Sequence, residues 1–284
     1  MNSLIFLTEK CDGTIKARAC AYVSVQRHYI TKQDATSPTV TTEGLPTTCV
    51  IEAKQGRDVM TLDIPNAFVQ TSLPESNERI IMKFNGRLVG IMMEEFPHVY
   101  KQYVQMENKK KTLYVVMEKT FYGMMMSSLL FYQHIRKDLE SIGFEVNPYN
   151  ICVANRDVNG MQQTVTWHVD DVKVSHICAK ANKKFYRWCK DKYGNNENGH
   201  VKVSRGKIHE YLAMNLNYTK PSKVIVDMRH YIKELLKEYP YELNKNIEYP
   251  WNGKLFENDN DMEQLTNEHA EAFHAFVMKC MFLA

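Results

Sequence analysis

Two adjacent aspartates inside a β-branched run constrain this chain more than any other feature. Asp170 and Asp171 lie in Thr164-Val165-Thr166-Trp167-His168-Val169-Asp170-Asp171-Val172-Lys173-Val174-Ser175. β-Branched and aromatic residues on both sides favour extended backbone, so the run predicts strand, tight turn, strand, with the acids at the turn. Upstream, Leu62-Asp63-Ile64-Pro65-Asn66-Ala67-Phe68 puts a third aspartate at the end of another apolar stretch. Taken singly, such acids are most often solvated turn, strand-end or cap residues. Brought together, three carboxylates can hold two divalent cations, which activate an attacking oxygen and stabilise a leaving pyrophosphate. The combination points to nucleotidyl transfer.

Composition limits the alternatives. The chain has 284 residues, 44% of them hydrophobic and 24% charged, which is globular and excludes disordered or collagen-like classes. A net charge of +3 permits a polyanionic partner without demanding one. The seven cysteines form no Cys-x-x-Cys pair, which disfavours a zinc site or disulfide framework and suits a reducing compartment. The ten histidines form no ligand cluster. Met1 to Leu7 lacks a basic start and a long apolar core, so it does not read as a signal peptide. No apolar run reaches membrane-spanning length, and no membrane partner is expected.

Periodicity places the remaining elements. Leu45, Cys49, Val50 and Ala53 fall at helical spacing, with Thr42 or Glu43 as cap and Gly56 as stop. Val59 to Leu62 reads as a short strand ending at Asp63, and Asn66 to Thr71 as the start of a helical turn. Residues 74 to 112 look loop-rich, with the Lys109–Lys111 run as a hairpin tip. Leu129, Leu130, Tyr132, Ile135, Leu139 and Ile142 define a strong amphipathic helix stopped by Gly143. Ile151 to Ala154 is strand-like, and Asn159-Gly160 is a turn. Lys180 to Tyr193 and His230 to Tyr239 are further helices. Tyr211 to Leu216 and Val224 to Val226 predict a hairpin around Pro221. Pro240, Pro250 and the acidic stretch Glu257 to Glu263 suggest a linker. The order strand, helix, strand, strand, helix, strand predicts an α+β fold: a split βαβ sheet with helices on one face, bringing Asp63 beside Asp170 and Asp171.

The ordered motifs resemble the reverse transcriptases of copia-type retrotransposons. Leu62 to Phe68 is similar to the family's Leu-Asp-Val-Lys-Asn-Ala-Phe segment, and Phe121-Tyr122-Gly123 to its Leu-Tyr-Gly segment. Phe131-Tyr132 resembles its Trp-Tyr helix, Ile142-Gly143-Phe144 the end of that helix, and Asn147 to Cys152 its Asp-Pro-Cys segment. His168-Val169-Asp170-Asp171 is similar to its Tyr-Val-Asp-Asp signature, and Asp12 to Arg18 with Ser37 to Thr39 resembles its fingers. The resemblance runs from about residue 9 to about residue 239 and implies a right-hand polymerase. Fingers are expected at about 9–56 and 75–123, palm at about 57–74 and 124–220. Residues 240–284 would be a linker and a truncated C-terminal helix, with at most a partial thumb or connection.

The same resemblance implies site roles. Asp63, Asp170 and Asp171, with the backbone carbonyl of Ile64, would hold two Mg²⁺ ions, with Mn²⁺ as an alternative. Phe68 would be the aromatic gate against a ribose 2′-hydroxyl, Tyr122 and Gly123 would lie near the incoming nucleotide, and Lys16 and Arg18 would face its triphosphate. Tyr211, Leu212, Ala213 and Met214 would form the primer grip. The implied partners are an RNA or DNA template with primer, deoxynucleoside triphosphates, and the ribonuclease H and integrase domains of a Gag-Pol polyprotein. The implied location is the cytoplasm, in virus-like particles. Three departures stand out: His168 replaces a tyrosine, Met124 to Ser128 replaces a Lys/Arg-Gln-Pro stretch, and Ala213 replaces a glycine. The sequence also stops inside a helix-like stretch, Ala270 to Ala284. These departures open a second expectation: an inactive retroelement fragment that still binds nucleic acid.

Overall fold

A computed structural model describes residues 1–9, 13, 15–22, 26–28, 30–74, 79–195, 199–239 and 265–283. The expected linker from Pro240 through Glu263 lies outside the described residues. The chain is mixed α and β with several sheets, and it divides into two units. The first comprises Met1–Leu212 and Leu216–Ile225; the second comprises Ala213–Asn215 and Val226–Ala284.

The central sheet of the first unit has six strands. Their order is Lys202–Gly206, Asp58–Asp63, Asp171–His176, Met161–His168, Val153–Val158 and Glu145–Val146. Apart from Val153–Val158 and Glu145–Val146, which extend one edge, the four strands Asp58–Asp63, Met161–His168, Asp171–His176 and Lys202–Gly206, numbered 1 to 4 by sequence, lie in the spatial order 4-1-3-2. That is the arrangement of a split βαβ unit. Strand alternation then sorts side chains between two faces. Met60, Leu62, Val165, Trp167, Val172 and Val174 face a core built with the Ser127–Ser141 and Ala179–Tyr193 helices. The first helix contributes Phe131, Ile135 and Leu139 at four-residue steps, and the second Phe185, Cys189 and Tyr193. Gly143, at φ +87°, ends the first helix: its N–H donates to the Glu140 carbonyl, and the Phe144 N–H donates to the Leu139 carbonyl.

The expectation of helices on one face needs correction. The Gly44–Lys54 helix covers the other face, where Lys173 projects between Val172 and Val174. A lysine ammonium buried in a sheet must find a counter-ion. Lys173 pairs with Glu52 of that helix and donates to Thr48 Oγ1 at 3.1 Å. Tyr218 Oη donates to the other Glu52 oxygen at 2.6 Å. Three elements distant in sequence are thus joined by one buried ionic network.

A second sheet of five strands runs Ile15–Tyr22, Asn2–Glu9, Ile81–Asn85, Lys110–Val116, Gln105–Glu107. Neither of its first two strands was legible from periodicity, and the Asn2–Glu9 strand precedes the expected fingers boundary. The stretch expected to be loop-rich also holds the Arg87–Glu95 helix, whose signal is weakened by Gly86 just before it and Gly90 within it. The Lys109–Lys111 tip takes shape as a two-residue turn at Asn108 and Lys109, both at positive φ. The hairpin expected around Pro221 is present, with Met214–Asn217 and Ile225–Asp227 as neighbours in a three-stranded sheet, but the expected Tyr211–Leu216 strand is broken: Ile208–Tyr211 and Met214–Asn217 are separate strands joined by Leu212 and Ala213, both at positive φ.

In the second unit, the Arg229–Glu238 and Asn267–Met281 helices pack through Tyr239 against Phe276, with ring centroids 4.6 Å apart. Tyr231 Oη donates to the Lys279 carbonyl at 3.1 Å, and Lys279 pairs with Glu238.

The buried network yields a test. Glu52→Ala leaves the Lys173 ammonium buried without its partner and is expected to cost about 3–5 kcal/mol in urea unfolding. The double replacement Glu52→Leu/Lys173→Met removes both charges and is expected to recover most of that loss.

Candidate active site

The register of two strands assembles the candidate site. Asp63 and Asp171 lie directly opposite each other in the antiparallel pairing of Asp58–Asp63 with Asp171–His176. Both belong to the sheet face that does not carry Met60, Leu62, Val172 and Val174, so their carboxylates project on the same side. The next rung ties in the third acid: the Ile64 N–H donates to the Asp170 carbonyl at 3.0 Å.

The turn itself differs in detail from the sequence reading. Val169 and Asp170 form a two-residue loop, and Asp171 is already the first residue of the next strand. Val169 sits at φ +54°, a conformation that a β-branched side chain rarely adopts. His168 pairs with Asp171 across the hairpin, and its buried Nδ1 makes no hydrogen bond among the described residues. Burial pushes the His168 imidazole below its ordinary pKa, against the opposing pull of Asp170.

A cavity of about 460 Å³ opens beside the acids. Its lining includes Arg18, Asp63, Ile64, Tyr122, Asp170 and Lys202. Lys202 belongs to no motif of the sequence. It stands opposite Asp63 on the strand on its other side, so Lys202, Asp63 and Asp171 form one row across three strands. Its Nζ is 3.8 Å from Asp63 Oδ2. An exposed lysine on a short strand gives no sequence signal of its own; only the register reveals it. His200 lines the same cavity.

Negative charge is in excess here. The Asp171 carboxyl is pushed up to about 6 by burial first, then by Asp170, Asp63 and Glu210. The Tyr122 phenol is also raised, by burial first and then by Asp170, with Arg18 opposing. Such a donor set of carboxylates and a nearby backbone carbonyl suits a hard, oxygen-seeking cation, whose charge would offset the repulsion. Among the described residues, no three His, Cys, Asp or Glu side chains are drawn together closely enough to hold a metal as they stand.

The other expected site residues fall in three places. Arg18 lines the cavity; Lys16 lies on the same strand, and its side chain is outside what is described. Tyr122 forms one wall, while Phe68 does not line the cavity and instead backs Tyr122 edge-on, with centroids 5.0 Å apart. Phe68 also meets Phe131 of the core at 6.4 Å. Gly123 has φ +84°, and a Cβ there would come within 2.4 Å of the Ala21 carbonyl oxygen. That close approach lets the Ala21 N–H donate to the Tyr122 carbonyl at 2.7 Å, docking the Tyr122 loop on the second sheet. Tyr211 is buried, and its hydroxyl is 3.3 Å from the Asp171 carbonyl and 3.5 Å from that of Thr166. Leu212 shares the first unit with the aspartates, whereas Ala213 and Met214 belong to the second.

No protein-family model matches the chain, and no curated protein matches it. Among solved structures, it is similar to telomerase from Candida albicans, determined in complex with a TWJ fragment of telomeric RNA. The identity is 9% and the TM-score 0.38, over 84% of this chain and 50% of that one. The chain therefore spans about half the length of that telomerase chain. So distant a likeness carries no functional inference.

The close approach at Gly123 predicts a sensitive position. Gly123→Ala is expected to cost about 1–3 kcal/mol from backbone conformation alone. The clash with Ala21 should also detach the Tyr122 loop, seen as faster amide exchange at Ala21 while the Ser127–Ser141 helix stays protected.

Proposed function

We propose that this chain is the RNA-directed DNA polymerase portion of a copia-type retroelement, adding deoxynucleotides to a primer 3′-hydroxyl. The observation that carries the proposal is the opposition of Asp63 and Asp171, with Asp170 tied to Ile64 beside them. The ordered motif resemblance from Leu62 to the primer-grip segment supports it. When bound at Asp63, Asp170, Asp171 and the Ile64 carbonyl, two Mg²⁺ ions would acidify the primer hydroxyl and offset charge on the departing pyrophosphate.

The chain's own residues would do the rest. Arg18 and Lys202 place two cationic side chains around the cavity, where they would attract and orient a triphosphate. Tyr122 would form the wall against the nucleotide, held in place by Phe68 behind it and by the Ala21 bond. In this arrangement Phe68 would influence sugar selection through the position of Tyr122. Tyr211 would steady the strand that carries Asp171 through its hydroxyl bond to the Asp171 carbonyl. Template–primer and deoxynucleoside triphosphates are the proposed partners, with ribonuclease H and integrase domains supplied by a longer polyprotein. The expected cytoplasmic, particle-bound location belongs to the same proposal. Among the described residues, no helix is long and apolar enough to cross a membrane.

A second reading has its own support. Met124, in the stretch that departs from the family pattern, is buried against Ala21 and Met82 and offers no charge to a nucleotide. The carboxylates are also not drawn together as they stand. Both features fit an inactive element that retains nucleic-acid binding.

Primer extension on poly(rA)–oligo(dT) separates the two. An active enzyme is expected to require Mg²⁺ and to lose at least about 100-fold in rate in Asp63→Asn and in Asp170→Asn/Asp171→Asn. Extension that survives those substitutions would sink the polymerase assignment at these residues. Duplex binding that weakens steeply with salt, with no extension by the unaltered chain, would favour the inactive element.

A further inference from the structure

The far end of the Asp58–Asp63 strand carries a second cavity, which the polymerase reading does not use. It measures about 440 Å³. Arg57, immediately before the strand, lines it. Six residues of extended chain put Arg57 roughly 20 Å from Asp63. The helix stop explains its position: Gly56 at φ +61° reverses the chain, and the Arg57 N–H caps the Glu52 carbonyl at 2.9 Å.

Arg57 is only 4% exposed. Its Nε donates to Gln55 at 2.7 Å, and its Nη1 donates to Thr164 Oγ1 at 2.9 Å and reaches Ser175 Oγ at 3.4 Å. All three acceptors are neutral. Among the described residues no carboxylate lies within ion-pair distance of it; the nearby Glu52 is committed to Lys173 and Tyr218. Glu43 lines the same cavity but is exposed, so solvent screens its charge. A buried guanidinium with only neutral partners leaves an uncompensated positive charge against a solvent-filled space.

The adjoining wall is built of side-chain amides. Gln162 Nε2 donates to Asn155 Oδ1 at 2.7 Å, which leaves Asn155 Nδ2 and Gln162 Oε1 without hydrogen bonds among the described residues. An amide pair offering one donor and one acceptor matches the hydrogen-bonding edge of a nucleobase. Tyr149, which also lines the cavity, is 94% exposed and offers an unoccupied ring face. Bases stack on such rings with little regard to identity. The volume suits a mononucleotide and far exceeds the need of a bare anion.

We propose that this cavity is a second nucleotide site, with a phosphoryl group against Arg57, a base on Tyr149, and the base edge on Asn155 and Gln162. The phosphoryl group can come from a free mononucleotide or from within a strand. The inference does not depend on polymerase activity.

Isothermal titration calorimetry of the full chain in EDTA, with AMP, adenosine, inorganic phosphate and an octanucleotide, tests the site. AMP is expected to bind at least about ten-fold more tightly than adenosine or phosphate alone. Tyr149→Ala, at an exposed position, should weaken AMP by about five-fold or more without moving the melting temperature. Asn155→Asp keeps the side-chain shape and its acceptor, but it removes a donor and places a carboxylate near Arg57; it should weaken AMP at least as much. An octanucleotide that competes with AMP in a Tyr149-dependent way identifies strand phosphate as a source; one that does not compete identifies the free nucleotide. No AMP binding at millimolar concentration, AMP binding unchanged in both variants, or phosphate binding as tightly as AMP would overturn the proposal.

Discussion

The pairing of Asp58–Asp63 with Asp171–His176 is the constraint on which the candidate site depends. It sets Asp63 opposite Asp171, and the rung beyond it bonds Ile64 to Asp170. Because strand side chains alternate, a slip of one residue would turn either carboxylate toward the core of Phe131, Ile135 and Leu139. Val172, Val174, Met60 and Leu62 oppose such a slip, since it would drive all four out of that core. The hydrophobic face therefore fixes the geometry of the polar one. The Lys202 row follows from the same register on the neighbouring strand.

The buried Lys173–Glu52 pair plays a complementary part. It links the central strand to the Gly44–Lys54 helix, and Tyr218 ties in the chain just after the Met214–Asn217 strand. Ionic pairs of this kind add little net stability over an apolar replacement, but they tolerate few alternative arrangements. Here Thr48 and Glu52 share with Leu45, Cys49 and Ala53 the face by which that helix meets the sheet, so the network anchors that face. It thereby positions the Gly56 reversal that delivers Arg57.

Much of this architecture was legible in the sequence. Alternating β-branched residues around Asp170, and the three- and four-residue spacing from Leu129 to Ile142, gave a strand pair and a helix close to those observed. The rest of the fold is set by tertiary contacts. The Asn2–Glu9 strand holds a four-residue apolar run, Leu4 to Leu7, without alternation, too short to tell strand from helix by period. Lys173 between the core residues Val172 and Val174 was the available sign that a helix covers the second face, since a buried ammonium requires an acid from elsewhere. Lys202 and Arg57 are charged residues on unremarkable segments, and only strand register and a helix stop give them their places. The backing of Tyr122 by Phe68 likewise depends on a loop conformation that Gly123 permits and no periodicity encodes.

The turn at Val169 carries a mechanical consequence. A β-branched residue at φ +54° is unfavourable by about 1–3 kcal/mol, and two strands in full register hold it there. The hairpin tip is in effect a loaded clip, relaxed if the rungs nearest the aspartates open and tensioned when they close. The acids thus sit on the part of the ladder with the least elastic slack on one side and the most incentive to fray on the other. Any ligand that bridges Asp63 to Asp170 across that tip would bear against this tension, so its grip and the integrity of the last rungs are one mechanical quantity.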